Sequence, residues 1–447
     1  MLKHAKARND GSIPRSFTRP AMERLEDRLL LAGDVVGVVA GGTLTLTGDN
    51  LDNEFVVDQA GLSAQQFRVT PSGGTTINGL AGPVVFDVVN RNVRIDLKDG
   101  DDVVGFNGVA LPGEVTIKGG DGDNTVTFDA STVAGRITIN NRTGTDSFSL
   151  LNGSRVDRSV IINNRTGGSS TTIDNSIVSW DLIVRSQAGA DTVNVVNGSL
   201  INRNLRVGPG AGGSSTLVDD SGITGRLTLN SGGGVDTVDV LNGSEVNAGG
   251  VLRTRGQLVL VVDDSRMDDN LTACGGVNGI DATITNNSVF SRDLTVKASG
   301  GASTVSFDTV RVDRNLTVRT RGPADTVTLD TVTAGGWTHL FTDGGDDTVS
   351  IDDSTFARTV LVRLGAGDDQ ILVEQGGPEV GPVTTFNGPF QFFGAAGDDT
   401  VDLGIAAQAG HQAVFNSTAY FNGGSGVNTY VLPNNAIFAI PPVFVRI

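Results

Sequence analysis

Cysteine is almost absent: Cys274 stands alone in 447 residues, so no disulfide can form within the chain. It reads as a small buried hydrophobe. Histidine is nearly as scarce. His4, His339 and His411 lie far apart, which leaves no histidine cluster for metal or proton chemistry. Aromatic residues make up only 5% of the chain. No apolar run reaches the ~18–20 residues of a membrane span; "DVVGVVAGG" and "IFAIPPVFVRI" are short and broken by Gly or Pro. Positive charge is also in deficit, with a net charge of −17. Residues 1–28 carry seven Lys or Arg against four Asp or Glu, so the remainder carries −20. An acidic body argues against nucleic acid and anionic membrane as partners, and favours solubility and divalent cations.

What the chain has is repetition. "GGDGDNTVTFDASTVAGRITINN" at 119–141 returns in related form near Asp236, Asp325 and Asp347. One ladder of apolar positions runs Val115, Ile137, Val160, Leu182, Leu205, Leu227, Leu271, Leu294, Leu316 and Val360. Its single steps are roughly 22–23 residues long, and two double steps cross divergent units near 249 and 338. A second ladder runs Val103, Val126, Phe148, Ile173, Val193, Leu217, Val238, Val261, Ile284, Val305, Val327, Val349 and Ile371, with the same mean step. Two ladders holding one period over roughly 250 residues identify a repeat architecture.

Within a unit the apolar pattern alternates. Val126 and Phe128 point one way, Thr125 and Thr127 the other; Val133 sits on a short middle segment, and Ile137 and Ile139 face inward. Gly and polar residues separate the pieces, and β-branched residues dominate. About five apolar side chains per unit do not offset the entropy of ordering about 22 residues, so no unit folds alone. Stacking is therefore required. The expected fold is all-β: a right-handed parallel β-helix of roughly 12–14 coils with three short strands per coil. A β-propeller, the alternative, repeats at about 40–45 residues unless units pair. Residues 1–33 read as a basic disordered tail ending in a short helical segment, 34–102 as degenerate coils forming an N-terminal cap, 103–375 as the regular helix, and 376–447 as larger coils closed by an aromatic-rich cap.

In the tail, "TRPAMERLEDRLLLAG" has Thr18 to cap a helix, Pro20 for its first turn and Gly33 to end it. The apolar run Leu29–Ala32 is too short for a conventional signal peptide. Leu25, Glu26, Arg28, Leu30 and Leu31 match a short motif, roughly L-E-P-R-x-L-L-S, of planctomycete extracellular proteins. Asp27 replaces its Pro and Ala32 its Ser. The resemblance implies export or display at the cell surface.

Acid recurs at the turn before the first strand: Asp101, Asp102, Asp123, Asp146, Asp191, Asp236, Asp325, Asp346, Asp347, Asp368, Asp369, Asp398 and Asp399. Stacked in register, such carboxylates favour cations. Gly and Asp are also plain turn residues. The richest copies resemble the nonapeptide G-G-x-G-x-D-x-U-x of repeats-in-toxin calcium-binding proteins: Gly365, Gly367, Asp369 and Ile371 fit it, while Asn124 and Asn428 replace the ligand Asp in two others. Here the motif occurs once per repeat unit and not in tandem. The resemblance implies calcium as a cofactor, with Asp346, Asp347, Asp368, Asp369, Asp398 and Asp399 as candidate ligands. A row of Arg158, Arg203, Arg292, Arg314 and Arg358 is expected to pair with Asp157, Asp293 or Asp313, or else to grip acidic glycans. The Asn pairs at 140–141, 163–164 and 286–287 are expected to bond across corners.

Two function classes remain. The repeat as a whole resembles secreted bacterial β-helix proteins of adhesin type, which implies a non-catalytic, calcium-stabilised extracellular or cell-surface protein whose partners are glycans or surface components. The alternative is a polysaccharide-active, pectate-lyase-like enzyme. Its nearest acidic cluster is Asp219–Asp220 and Asp263–Asp264 with Arg266. No coil stands out chemically as a catalytic one, so no catalytic residue is assigned.

Overall fold

The structure is a computed structural model, and it describes residues 33–375, 383–404, 412–432 and 436–446. The tail, its expected helix, the export-type motif, His4 and His411 lie outside them. The described residues contain strands and no helix, so none is long and apolar enough to cross a membrane. They wind into a β-solenoid of about 15 turns, slightly more than the repeat count suggests.

Each regular coil has a first strand, a two-residue bridging strand and a second strand, as in Thr125–Asp129, Thr132–Val133 and Ile137–Thr143. Each strand pairs in parallel with its counterpart one coil away: Val126 with Val104 and Phe148, Val133 with Leu111 and Val156, Ile137 with Val115 and Val160. Alternation places Val126, Phe128, Val133, Ile137 and Ile139 in one continuous core. Phe106 and Phe128 stack there with ring centres 4.3 Å apart.

The second-strand ladder is as read, and Gly250 and Thr338 fill its two gaps. The first-strand ladder needs correction. Val103 pairs with Thr125 and points outward; Leu217 and Val261 also lie on the outer face. The true inward register runs Val104, Val126, Phe148, Thr171, Val193, Thr216, Val238, Leu260 and Ala282. Apolar identity misled because Thr216 takes the inward position beside Leu217, Thr171 takes it two residues before Ile173, and both faces are apolar at Val103–Val104 and Leu260–Val261.

The corner after the first strand explains the uneven unit length. It holds a left-handed residue in coil after coil, including Asn152, Asn175, Asn197, Asp220, Asn242 and Asp264, with φ between 44° and 57°. Asn and Asp tolerate this conformation better than other side chains. Where Asn-Gly doubles the corner, as at Asn152–Gly153 and Asn197–Gly198, the second strands step from Ile137 to Val160 and from Leu182 to Leu205. Where a single residue turns it, as at Asn175 and Asp220, they step from Val160 to Leu182 and from Leu205 to Leu227, one position shorter.

A buried serine follows each of these corners. The Ser199 hydroxyl accepts the Ser176 N–H at 3.1 Å and donates toward the Ile173 and Val196 carbonyls, and Ser131, Ser154, Ser221, Ser244 and Ser288 repeat parts of the pattern. The hydroxyl is both donor and acceptor, so each serine in the column satisfies a backbone N–H and a backbone carbonyl of neighbouring turns.

The ends differ from the shaft. Thr43–Thr47 and Glu54–Asp58 stack in parallel on the coil above, as a degenerate coil should. Asp34–Ala40 and Phe67–Ser72 then pair antiparallel to them, and Val84–Phe86 antiparallel to the latter. These hairpins cover an edge that another chain could otherwise join. At the C-terminal end the coils lengthen, with the second strands stepping from Val360 to Phe390 to Ala419. Phe356, Phe386, Phe415 and Phe438 form a column with ring centres 5.3, 4.8 and 4.8 Å apart.

Val126→Asp is expected to cost roughly 3–5 kcal/mol, because an unpaired charge enters the core, and to unfold several coils; circular dichroism and melting measure it. Ser199→Ala is expected to cost about 1–3 kcal/mol by orphaning the Ser176 N–H, read as a lowered denaturation midpoint with an unchanged spectrum.

Candidate functional site

Two rows of corner side chains follow from the Gly-Asp-Asp pattern. Gly122, Gly144 and Gly167 stack one per coil at φ of 114°, 105° and 99°, and a Cβ on any of them would lie about 2 Å from the glycine carbonyl of the coil before. Only glycine allows so close an approach. The two residues after each such glycine face opposite ways. The outer one reaches forward: Asp346 Oδ1 accepts the Asp368 N–H at 2.9 Å, Asp368 the Asp398 N–H at 2.8 Å, and Asp398 the Val427 N–H at 2.7 Å. The inner one reaches back: Asp347 Oδ1 accepts the Asp325 N–H at 2.6 Å, Asp369 the Asp347 N–H at 2.9 Å, and Asp399 the Asp369 N–H at 3.2 Å.

All six expected calcium ligands are thus inter-coil staples on one oxygen. The outer three are exposed and the inner three buried, so the six do not converge on one cage. Asn124 and Asn428 make the same backward bond at 3.3 and 3.0 Å, so the amide fills the staple's role as well as the acid does.

The second oxygens of Asp102, Asp146, Asp325, Asp347, Asp369 and Asp399 are buried without a hydrogen-bond partner. Burial is the main force that raises these carboxyls: Asp102, Asp146 and Asp399 to about 6, and Asp369 to about 7, where the neighbouring Asp347 and Asp399 push further. A carboxyl raised above its unfolded value stabilises the fold fully below pH ~4 and loses that contribution as pH climbs through about 6 to 7.

The arginine row departs from expectation. Asp157 and Asp313 pair with Arg155 and Arg311, each at 2.6 Å, while Asp293 accepts from Asn315. Arg158 and Arg203 instead sandwich the exposed Trp180, at 5.6 and 5.3 Å from its ring centre. Arg292 lies 3.5 Å from Asp269. The Asn pairs do bond across coils: Asn163 to Asn140 and Asn141 to Asn164, each at 3.0 Å, and Asn286 to Asp263 at 2.5 Å. The acidic cluster near 264 does not assemble a site, since Arg266 turns to Asp268 and Asp219 accepts from Asn242. Cys274 lies on the outer face of its strand, half-buried and not in the core. His339 is half-buried; burial, then Arg363, lowers its pKa.

The feature that sequence reading missed is a groove of about 1110 Å³ at the corner that follows the second strands. The register brings Asp96, Lys118, Asn140, Asn163 and Arg185 into one row and sets Arg142 and Arg165 two positions beyond. Five cations line it, Lys98, Lys118, Arg142, Arg165 and Arg185, against Asp96 and Asp99. Asp96 holds Lys98 at 3.2 Å and Lys118 at 3.5 Å. Among the described residues no carboxylate pairs with Arg142, Arg165 or Arg185, all exposed. The signal in the sequence was "NNR" at 140–142 and 163–165, a triplet at repeat spacing. Comparison with protein-family models, curated proteins and solved structures finds no match for this chain.

Asp369→Asn is expected to melt above the parent protein at pH 8, with the gap closing toward pH 4 where both side chains are neutral. Melting across pH 4–8 checks it.

Proposed function

We propose that this chain is a non-catalytic, extracellular or cell-surface β-solenoid that holds acidic polysaccharide in the groove of its N-terminal half. One observation carries the reading: unpaired arginines and free amide edges line a groove along the solenoid axis of a protein with net charge −17. Seven coils, from Asp96 to Asn230, contribute to it, which at ~4.8 Å per coil is about 29 Å of continuous surface. That length suits an extended polymer better than a small molecule. Guanidinium groups recognise carboxylates in a planar, two-pronged fashion, and amides bond sugar hydroxyls. The acidic remainder of the surface repels a polyanion and confines it to this face. A rigid rod with a polymer-binding flank suits adhesion or matrix attachment, and the export-type motif in the tail fits that location.

Polyuronate retention in affinity electrophoresis is expected for the parent chain, weakening with salt. Arg142→Ala with Arg165→Ala is expected to reduce affinity about tenfold or more, as charge-assisted contacts are lost, while neutral glucans are not retained. Indifference of retention to that double substitution would sink the reading. Release of unsaturated uronic acids would favour the lyase alternative.

A further inference from the structure

The corner after the first strand varies in its side chains from coil to coil. In four coils the left-handed residue after the first strand is an asparagine whose amide donates to the aspartate near the end of the previous coil's first strand. Asn152 bonds Asp129 at 2.7 Å, Asn197 bonds Asp174 at 2.7 Å, Asn242 bonds Asp219 at 2.6 Å, and Asn286 bonds Asp263 at 2.5 Å. The amide hydrogen is what lets a carboxylate sit beside the next coil without charge repulsion.

After the first strand Gln370–Val373 the left-handed residue is Glu374, φ 59°. The Ile351–Val373 register sets it against Asp352, with Asp353 adjacent. A second carboxylate therefore faces Asp352 directly across the coil step. Oxygens of Asp352, Asp353 and Glu374 lie within 4.8 Å of one another, a convergence seen for this one group among the described residues. Glu374 is fully buried. Its Oε1 accepts the Asp353 N–H at 3.2 Å and the Thr384 N–H. Its Oε2 is buried with no hydrogen-bond partner at all. A buried carboxylate oxygen without a hydrogen-bond partner is costly to keep ionised, and a cation offsets that cost.

We propose that Asp352, Asp353 and Glu374 form a binding site for a hard divalent cation of the calcium class. The donor set is oxygen only, which selects calcium, magnesium or manganese over zinc or copper. The two half-buried aspartates leave room for water to complete the coordination. The buried Glu374 is the anchor, since two backbone N–H groups hold its Oε1 while its Oε2 is left without a partner. The ion clamps the corner between the Thr348–Asp352 strand and its partner Gln370–Val373. The site is separate from the Asp346–Asp399 staples and from the groove, and it stands whether or not the groove binds polysaccharide.

Isothermal titration of the chelator-treated full chain with calcium chloride tests it, with magnesium and manganese chlorides in parallel. One saturable site and a rise in melting temperature are expected. Glu374→Gln keeps an oxygen to accept the Asp353 and Thr384 N–H groups, so it should fold; affinity should fall about tenfold or more with the loss of ligand charge. Asp352→Asn should do the same, and it decides the matter if the first variant fails to fold. Asp368→Asn, in the exposed staple row, should retain parental binding. Absence of heat and melting shift up to about 10 mM of each cation, above the range of weak extracellular calcium modules, would mean that a proton alone occupies the corner. That result overturns the proposal, as does undiminished binding in both Glu374→Gln and Asp352→Asn, or loss of binding in Asp368→Asn.

Discussion

In a parallel solenoid the backbone of each coil finds its hydrogen-bond partners only in the coils on either side, and the rest of this structure depends on that. Parallel register has a second consequence. A side chain repeated at the period of the coil stands about 4.8 Å from its own copies. The identity of a repeated residue is therefore restricted to groups that can neighbour themselves. Aliphatic chains do so by dispersion and exclusion of water, phenylalanines by stacking, serines because a hydroxyl both donates and accepts, and asparagines because an amide does the same. Ionised carboxylates cannot, which is why the Asp rows recruit backbone N–H groups.

The alternation of outer and inner aspartates turns that restriction into a joint. Asp346 reaches toward the next coil and Asp347 toward the previous one, so each corner is tied in both directions by adjacent residues. The inner carboxyls have one satisfied and one orphaned oxygen, and burial raises those of Asp102, Asp146 and Asp399 to about 6 and that of Asp369 to about 7. Asn124 and Asn428 show that the same tie can be made without ionisation.

Charge, by contrast, is distributed by face and not by coil. The acidic corners and the cationic groove belong to the same turns: Asp123 and Arg142 are less than one coil apart in sequence, yet one serves as a staple and the other lies free in the groove. A surface that is acidic overall but locally basic along one flank directs an anionic polymer to that flank. The opposite arrangement occurs at Glu374, where a buried carboxyl converges with Asp352 and Asp353.

Period, strand type, parallel stacking and the need for caps were legible in the sequence, because short-range alternation and a regular recurrence follow from local chemistry alone. Phase within the first strand was less so: Thr171 and Thr216 face the core while Leu217 and Val261 face out, and hydropathy cannot see which side of a strand its neighbours leave buried. The staple function of the corner acids, the Arg158–Trp180–Arg203 stack and the antiparallel N-terminal cap required the coils to be set beside one another. So did the groove and the Glu374 corner, whose residues come together only across coils. The sequence by itself determined that the chain must coil, since no single repeat buries enough to stand alone. Tertiary structure decided which repeated side chains would meet, because a single added position at a left-handed corner shifts what faces what in the next turn.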